Sequence, residues 1–172
     1  MLRRKVTDRL LSWKNNSNKA LLVTGARQIG KSYAIRAFGK DNYASYFEAN
    51  LLLDAEARDV LIGAKNAVDF INRVALLADA PLVEGDTLIF VDEIQEYPQI
   101  VTLMKALVED GRFSYVFSGS MLGTEFKGIS SFPVGVCRAH CYAANGFKSF
   151  VGQTASARMC VAHDPRAALS RR

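Results

Sequence analysis

Gly25-Ala26-Arg27-Gln28-Ile29-Gly30-Lys31-Ser32 decides the fold of this chain. The eight residues fit G-x-x-x-x-G-K-[ST], the loop that cradles phosphates. Their flanks matter as much as the pattern. Ala20-Leu21-Leu22-Val23-Thr24 ahead of them reads as a short buried strand, and Ser32 to Phe38 behind them is compatible with a helix. Strand, glycine loop and helix N-terminus together make an anion site, because backbone N–H groups converge there and the helix dipole favours negative charge. Gly25 and Gly30 allow close backbone approach, Lys31 can reach the β- and γ-phosphates, and the Ser32 hydroxyl can ligate Mg²⁺. All eight positions, Gly25, Ala26, Arg27, Gln28, Ile29, Gly30, Lys31 and Ser32, are expected to touch the nucleotide.

A second motif lies downstream. Leu88-Ile89-Phe90-Val91-Asp92-Glu93 is an apolar strand ending in two carboxylates, the Walker B pattern. In a parallel sheet the ligand site lies beyond the carboxyl ends of the strands. Asp92 is therefore expected to support the Mg²⁺ shell, and Glu93 to orient and deprotonate an attacking water. Ser114-Tyr115-Val116-Phe117 reads as a further strand, and Ser118 or Ser120 at its end is placed to sense the nucleotide; the alternative for these serines is turn or cap chemistry. The chain has no Asn-Lys-x-Asp run for guanine selection and no Asp-x-x-Gly after the Asp92 strand. The adjacent glutamate favours ATPases that use water over kinases.

The rest of the core alternates strands with helices. Leu2, Val6, Leu10 and Trp13 repeat at helical spacing, Tyr43 to Ala49 reads as a strand, and Leu51 to Gly63 is partly helical. Val68, Ile71, Val74, Ala75 and Ala78 predict a helix that ends before Pro81. Ile100, Leu103, Met104 and Leu107 predict another, starting near Pro98. The expected fold class is α/β: a P-loop NTPase, a parallel sheet flanked by helices.

Charge divides the 172 residues in two. The net +5 comes entirely from residues 136–172; residues 1–135 carry equal numbers of basic and acidic side chains. All three cysteines (Cys137, Cys141, Cys160) and both histidines (His140, His163) lie past the same boundary. The reading is a core over 1–135 and an atypical basic tail over 136–172, frameshifted or disordered. Cys137, Cys141, Cys160 and His163 also offer a tetrahedral zinc set as an alternative. No apolar run approaches the roughly 20 residues of a membrane span, and no signal peptide follows the basic start, so a cytoplasmic location without membrane contact is expected.

The phosphate loop, the run Asp92-Glu93-Ile94-Gln95 and Ser118-Gly119-Ser120-Met121-Leu122-Gly123 resemble the AAA-superfamily ATPases of bacteria and archaea that join an N-terminal AAA domain to a C-terminal domain of unknown function. Ser131-Phe132-Pro133-Val134-Gly135 resembles the family's segment before its last core strand. The resemblance covers roughly residues 1–135 and implies ATP and Mg²⁺ as ligands, catalytic roles for Lys31 and Glu93, and metal support from Ser32 and Asp92. From Val136 the family pattern stops, although members run to about twice this length. A missing fifth strand would leave Ala20 to Thr24 as an exposed apolar edge, with weak ATP binding and little hydrolysis as the expected result. Val136 to Ala144 could fill that place, but Cys137, Arg138 and His140 make it a poor buried strand. A protein or nucleic-acid partner for the basic tail, an oligomer, and an arginine finger drawn from Arg58, Arg73 or Arg112 are the remaining expectations.

Overall fold

The computed structural model describes residues 2–25, 28–120, 137–143 and 146–150. Helix α1 (Leu2–Asn16) leads into β1 (Ala20–Gly25), and α2 (Lys31–Asn42) and β2 (Ser45–Asn50) follow. Two short helices, α3 (Ala55–Ile62) and α4 (Ala67–Leu77), precede β3 (Thr87–Asp92). A single 3-10 turn (Ile94–Glu96), α5 (Ile100–Asp110) and β4 (Ser114–Ser120) come next, then β5 (Cys137–Ala143) and β6 (Gly146–Phe150). The strands form one sheet in the order β2-β3-β4-β1-β5-β6. All neighbouring strands from β2 to β5 pair in parallel, and β6 closes the edge antiparallel to β5.

Alternation along the strands sorts the core into two layers. Leu22, Phe47, Ala49, Ile89, Val91, Tyr115 and Phe117 face the layer built by α3, α4 and α5. Leu21, Val23, Leu88, Phe90 and Val116 face the layer of α1 and α2, where Val6, Leu10, Trp13, Ile35 and Phe38 are buried. β3 is buried along its whole length, as a strand covered on both faces must be. The caps follow local chemistry. Asp54 accepts from the Ala57 N–H at the start of α3, and Asn66 accepts from the Asp69 N–H at the start of α4, each at 2.9 Å. Gly111 closes α5 at φ 72.

The exposed edge anticipated at β1 does not exist. β5 runs parallel to β1 in continuous register from Ala20 beside Cys137 to Gly25 beside Tyr142. Cys137, Arg138 and His140 argued against a strand because they suit a buried face poorly. Strand addition, however, is carried by backbone N–H and C=O groups, whose ladder any residue but proline can join. β1 thus lies between β4 and β5, inside the sheet. A chain ending at residue 136 should expose the apolar β1 edge. Thermal melting and size-exclusion chromatography should show a melting point lower by several degrees and soluble aggregates; an equally stable monomer would contradict this placement.

Candidate nucleotide site

Four of the parallel strands bring their carboxyl ends to one side of the sheet. β1 ends at Gly25, β2 at Asn50, β3 at Asp92 and β4 at Ser120. Register places Gly25 beside Ser120, and Asn50 beside Asp92. Gly30 caps α2 in the left-handed region at φ 86, with no side-chain hydrogen bond to the first turn. A residue with a Cβ would be strained there. The first-turn N–H groups of α2 are thereby left to face whatever occupies the loop. Gln28 also has positive φ, at 62, which keeps the loop tightly wound. Ala26 and Arg27 lie outside the described residues.

Lys31 is buried, and its Nζ donates to the Gly25 carbonyl oxygen at 3.0 Å. The ammonium therefore lies across the mouth of the loop. The Ser32 hydroxyl, one residue on, donates to Asp92 Oδ2 at 2.5 Å.

Asp92 is 1% exposed. A carboxylate so buried needs every lone pair answered. Besides Ser32, Asn50 Nδ2 donates to Oδ2 at 3.3 Å, and the Glu93 backbone N–H donates to Oδ1 at 2.9 Å. The Ser118 hydroxyl donates to Oδ1 as well. Of the two serines predicted at the end of β4, Ser118 meets Asp92 with its side chain, and the side chain of Ser120 lies outside what the structure describes. Ser118 is fully buried, while Ser120 is placed by its backbone beside Gly25.

Asn50 was missed in the sequence. Its side-chain oxygen also accepts the N–H groups of Leu52 and Leu53, at 3.1 and 3.0 Å, so one amide joins the turn after β2 to the Asp92 carboxylate. Its signal was position alone: the last residue of a strand neighbouring the Walker B strand.

Glu93 leaves β3 in the left-handed conformation, at φ 57 and ψ 47. Its carboxylate accepts from the Gln95 side-chain amide.

The arginines considered as fingers have nearby partners. Arg73 donates to Asp69 and to the Val60 carbonyl oxygen, Arg112 chelates Asp110, and Arg58 stands 3.5 Å from Asp59. Of the zinc set, Cys137 and Cys141 occupy β5, while Cys160 and His163 lie outside the described residues. No group of three or more His, Cys, Asp and Glu side chains among the described residues could hold a metal by itself. Among them, too, no helix is long and apolar enough to cross a membrane.

The loop, the buried acid and the strand order point to one superfamily, and a family model described as "AAA domain" matches residues 17–144. The chain belongs to this AAA-domain family. The match takes in β1 through β5, so the AAA sheet as matched includes the strand past residue 135. A search of curated proteins finds no match to the chain. Family membership carries the α/β fold and a nucleotide-binding, ATPase-type domain; AAA domains generally bind ATP with Mg²⁺ and often assemble as oligomers.

The AAA core is braced on one flank by Arg36 of α2. Its guanidinium takes both oxygens of Glu48 on β2, at 2.7 and 2.6 Å, and Tyr46 Oη donates to the same carboxylate at 2.8 Å. This ties the helix that begins at the phosphate loop to the strand that ends at Asn50. Burial pushes the Glu48 carboxyl up, but Arg36 and the Tyr46 hydroxyl outweigh it and hold the carboxyl below its ordinary 4.5. A depressed carboxyl stabilises the fold fully above its unfolded pKa, and the contribution disappears as pH falls through the lower folded value. Arg36 is half-exposed, so the pair is worth about 1 kcal/mol at most. Glu48→Gln should therefore lower stability to urea at neutral pH, and the gap to wild type should close well below pH 4.5. A gap that persists in strong acid would mean that packing, not the charge, is responsible.

Proposed function

We propose that this AAA domain binds Mg-ATP in the Gly25–Ser32 loop and hydrolyses it with a water activated by Glu93. The observation that carries the reading is the Ser32 hydroxyl bonded to the buried Asp92 carboxylate at 2.5 Å, beside the loop and the buried Lys31. The donor set fits Mg²⁺. It is all oxygen, and it supplies one carboxylate and one hydroxyl, leaving further positions for phosphate oxygens and water. When bound, the ion would neutralise charge between the β- and γ-phosphates.

The chain's own groups divide the remaining work. N–H groups of the loop and of the first turn of α2 hold the β-phosphate. Lys31 exchanges the Gly25 carbonyl oxygen for phosphate oxygens, gaining a charged acceptor in place of a neutral one. Glu93 accepts a proton from the attacking water, whose oxygen forms the new bond to the γ-phosphorus. The bond from that phosphorus to the bridging oxygen breaks, and ADP and phosphate leave. Ser118 is a sensor by virtue of its bond to Asp92, and Ser120 by its place beside Gly25. The arginines considered as fingers are engaged elsewhere, so turnover by the isolated chain is slow, and an arginine from a neighbouring subunit would accelerate it.

A second reading is a nucleotide-binding module that does not hydrolyse, with the basic residues of 136–172 engaging nucleic acid or a protein. The excess of charge past residue 135 favours it. The two separate cleanly. Under hydrolysis, Lys31→Ala loses binding of a fluorescent ATP analogue. Glu93→Gln keeps that binding and lowers phosphate release by roughly a hundredfold. A wild-type chain that binds Mg-ATP, releases no phosphate and holds DNA in a salt-sensitive manner would select the second reading instead.

A further inference from the structure

Gln95 lies three residues past Asp92, in the 3-10 turn, and its amide has two different surroundings. The nitrogen donates to Glu93 Oε2. A carboxylate can only accept, so this contact fixes which end of the amide is nitrogen. The oxygen is buried and has no hydrogen-bond partner among the described residues. It lies instead against the backbone of β4 at Gly119: a Cβ placed on Gly119 would come 2.9 Å from Gln95 Oε1 and 3.6 Å from Ile94 Cγ1. The amide sits where it does because residue 119 has no side chain. An unpartnered buried carbonyl is costly, and where one is retained it calls for an explanation.

Gly119 stands between Ser118, which bonds to Asp92, and Ser120, which lies beside Gly25. The backbone of Glu93 is left-handed, so its carboxylate is not aimed by continuation of β3. Its one side-chain partner among the hydrogen bonds described is Gln95.

We infer that Gln95 is a positioning residue for hydrolysis, holding the Glu93 carboxylate by one oxygen while braced on β4 at Gly119, so that the other oxygen is presented to the attacking water. The inference rests on the hydrolysis reading above. Among the described residues no hydrogen bond joins Gln95 to the loop or to the Asp92 carboxylate, so its loss should act on the chemical step and spare nucleotide binding.

The test is phosphate release under single-turnover conditions, with ATP affinity measured separately, for wild type, Gln95→Leu, Gly119→Ala and the double variant. Gln95→Leu keeps the volume and removes the donor. Gly119→Ala leaves Gln95 in place and pushes its amide off Glu93, and it serves alone if Gln95→Leu does not fold. Each single variant should release phosphate roughly tenfold more slowly, with affinity for ATP within about twofold of wild type. The double variant should be no slower than the worse single, because both remove one contact. A Gln95→Leu chain as fast as wild type, losses that multiply in the double variant, or a fall in affinity that matches the fall in rate would each overturn the inference. A wild-type chain without Glu93-dependent release overturns the hydrolysis reading, and this one with it; wild-type activity with an unaffected Gln95→Leu overturns this one alone.

Discussion

The buried carboxylate of Asp92 is the constraint on which the rest of this structure turns. A carboxyl group 1% exposed is tolerated only with its oxygens occupied. Here the donors come from α2, β2, β4 and the backbone that follows β3. Those four pieces of chain are far apart in sequence, and the hydrogen bonds require them to meet at one point. The same requirement fixes the register in which Asn50 stands beside Asp92, and Gly25 beside Ser120. A one-residue slip of β4 would turn Ser118 to the opposite face and leave the acid short of a donor. Removing Asp92 altogether would strand the buried Ser118 hydroxyl, at about 1–3 kcal/mol, and leave the half-buried Ser32 and Asn50 donors without their acceptor.

The arrangement is also one that a divalent ion can replace. Ser32 and Ser118 donate hydroxyl protons to the carboxylate, and a hydroxyl that donates to an acid can equally offer its oxygen to a cation. Lys31 holds a loop carbonyl oxygen in the same provisional way. On the proposed reading, phosphate and metal would take over partners that these groups now find in one another.

Much of this was legible in the sequence, for reasons that can be named. The phosphate loop and the strand ending in Asp92-Glu93 carry their chemistry in the identity of single residues. The apolar strands reveal themselves because burial on both faces excludes polar residues, and Thr87–Asp92 is such a run. The helical spacing of Val6, Leu10 and Trp13 likewise marked the face that α1 buries. β5 was harder to see. Its side chains do not advertise a strand, while its place is set by backbone hydrogen bonding to β1 and by topology. Asn50 and Gln95 were hidden for another reason. Each acts through an amide whose meaning depends on what lies across the sheet, Asp92 in one case and Gly119 in the other. Ser118 could not be separated from Ser120 by position in the motif, because two residues apart on one strand they share a face, and only the packing of Ser118 against Asp92 distinguishes it.

The most direct measurement is a crystal structure of the chain with Mg²⁺ and a non-hydrolysable ATP analogue. The account predicts phosphates seated over Gly30 to Ser32, Lys31 moved from the Gly25 carbonyl oxygen to the phosphates, and the ion between the Ser32 hydroxyl and the Asp92 carboxylate. A nucleotide bound elsewhere, or an ion with no relation to Asp92 while its hydrogen bonds to Ser32 and Ser118 stay intact, would contradict it.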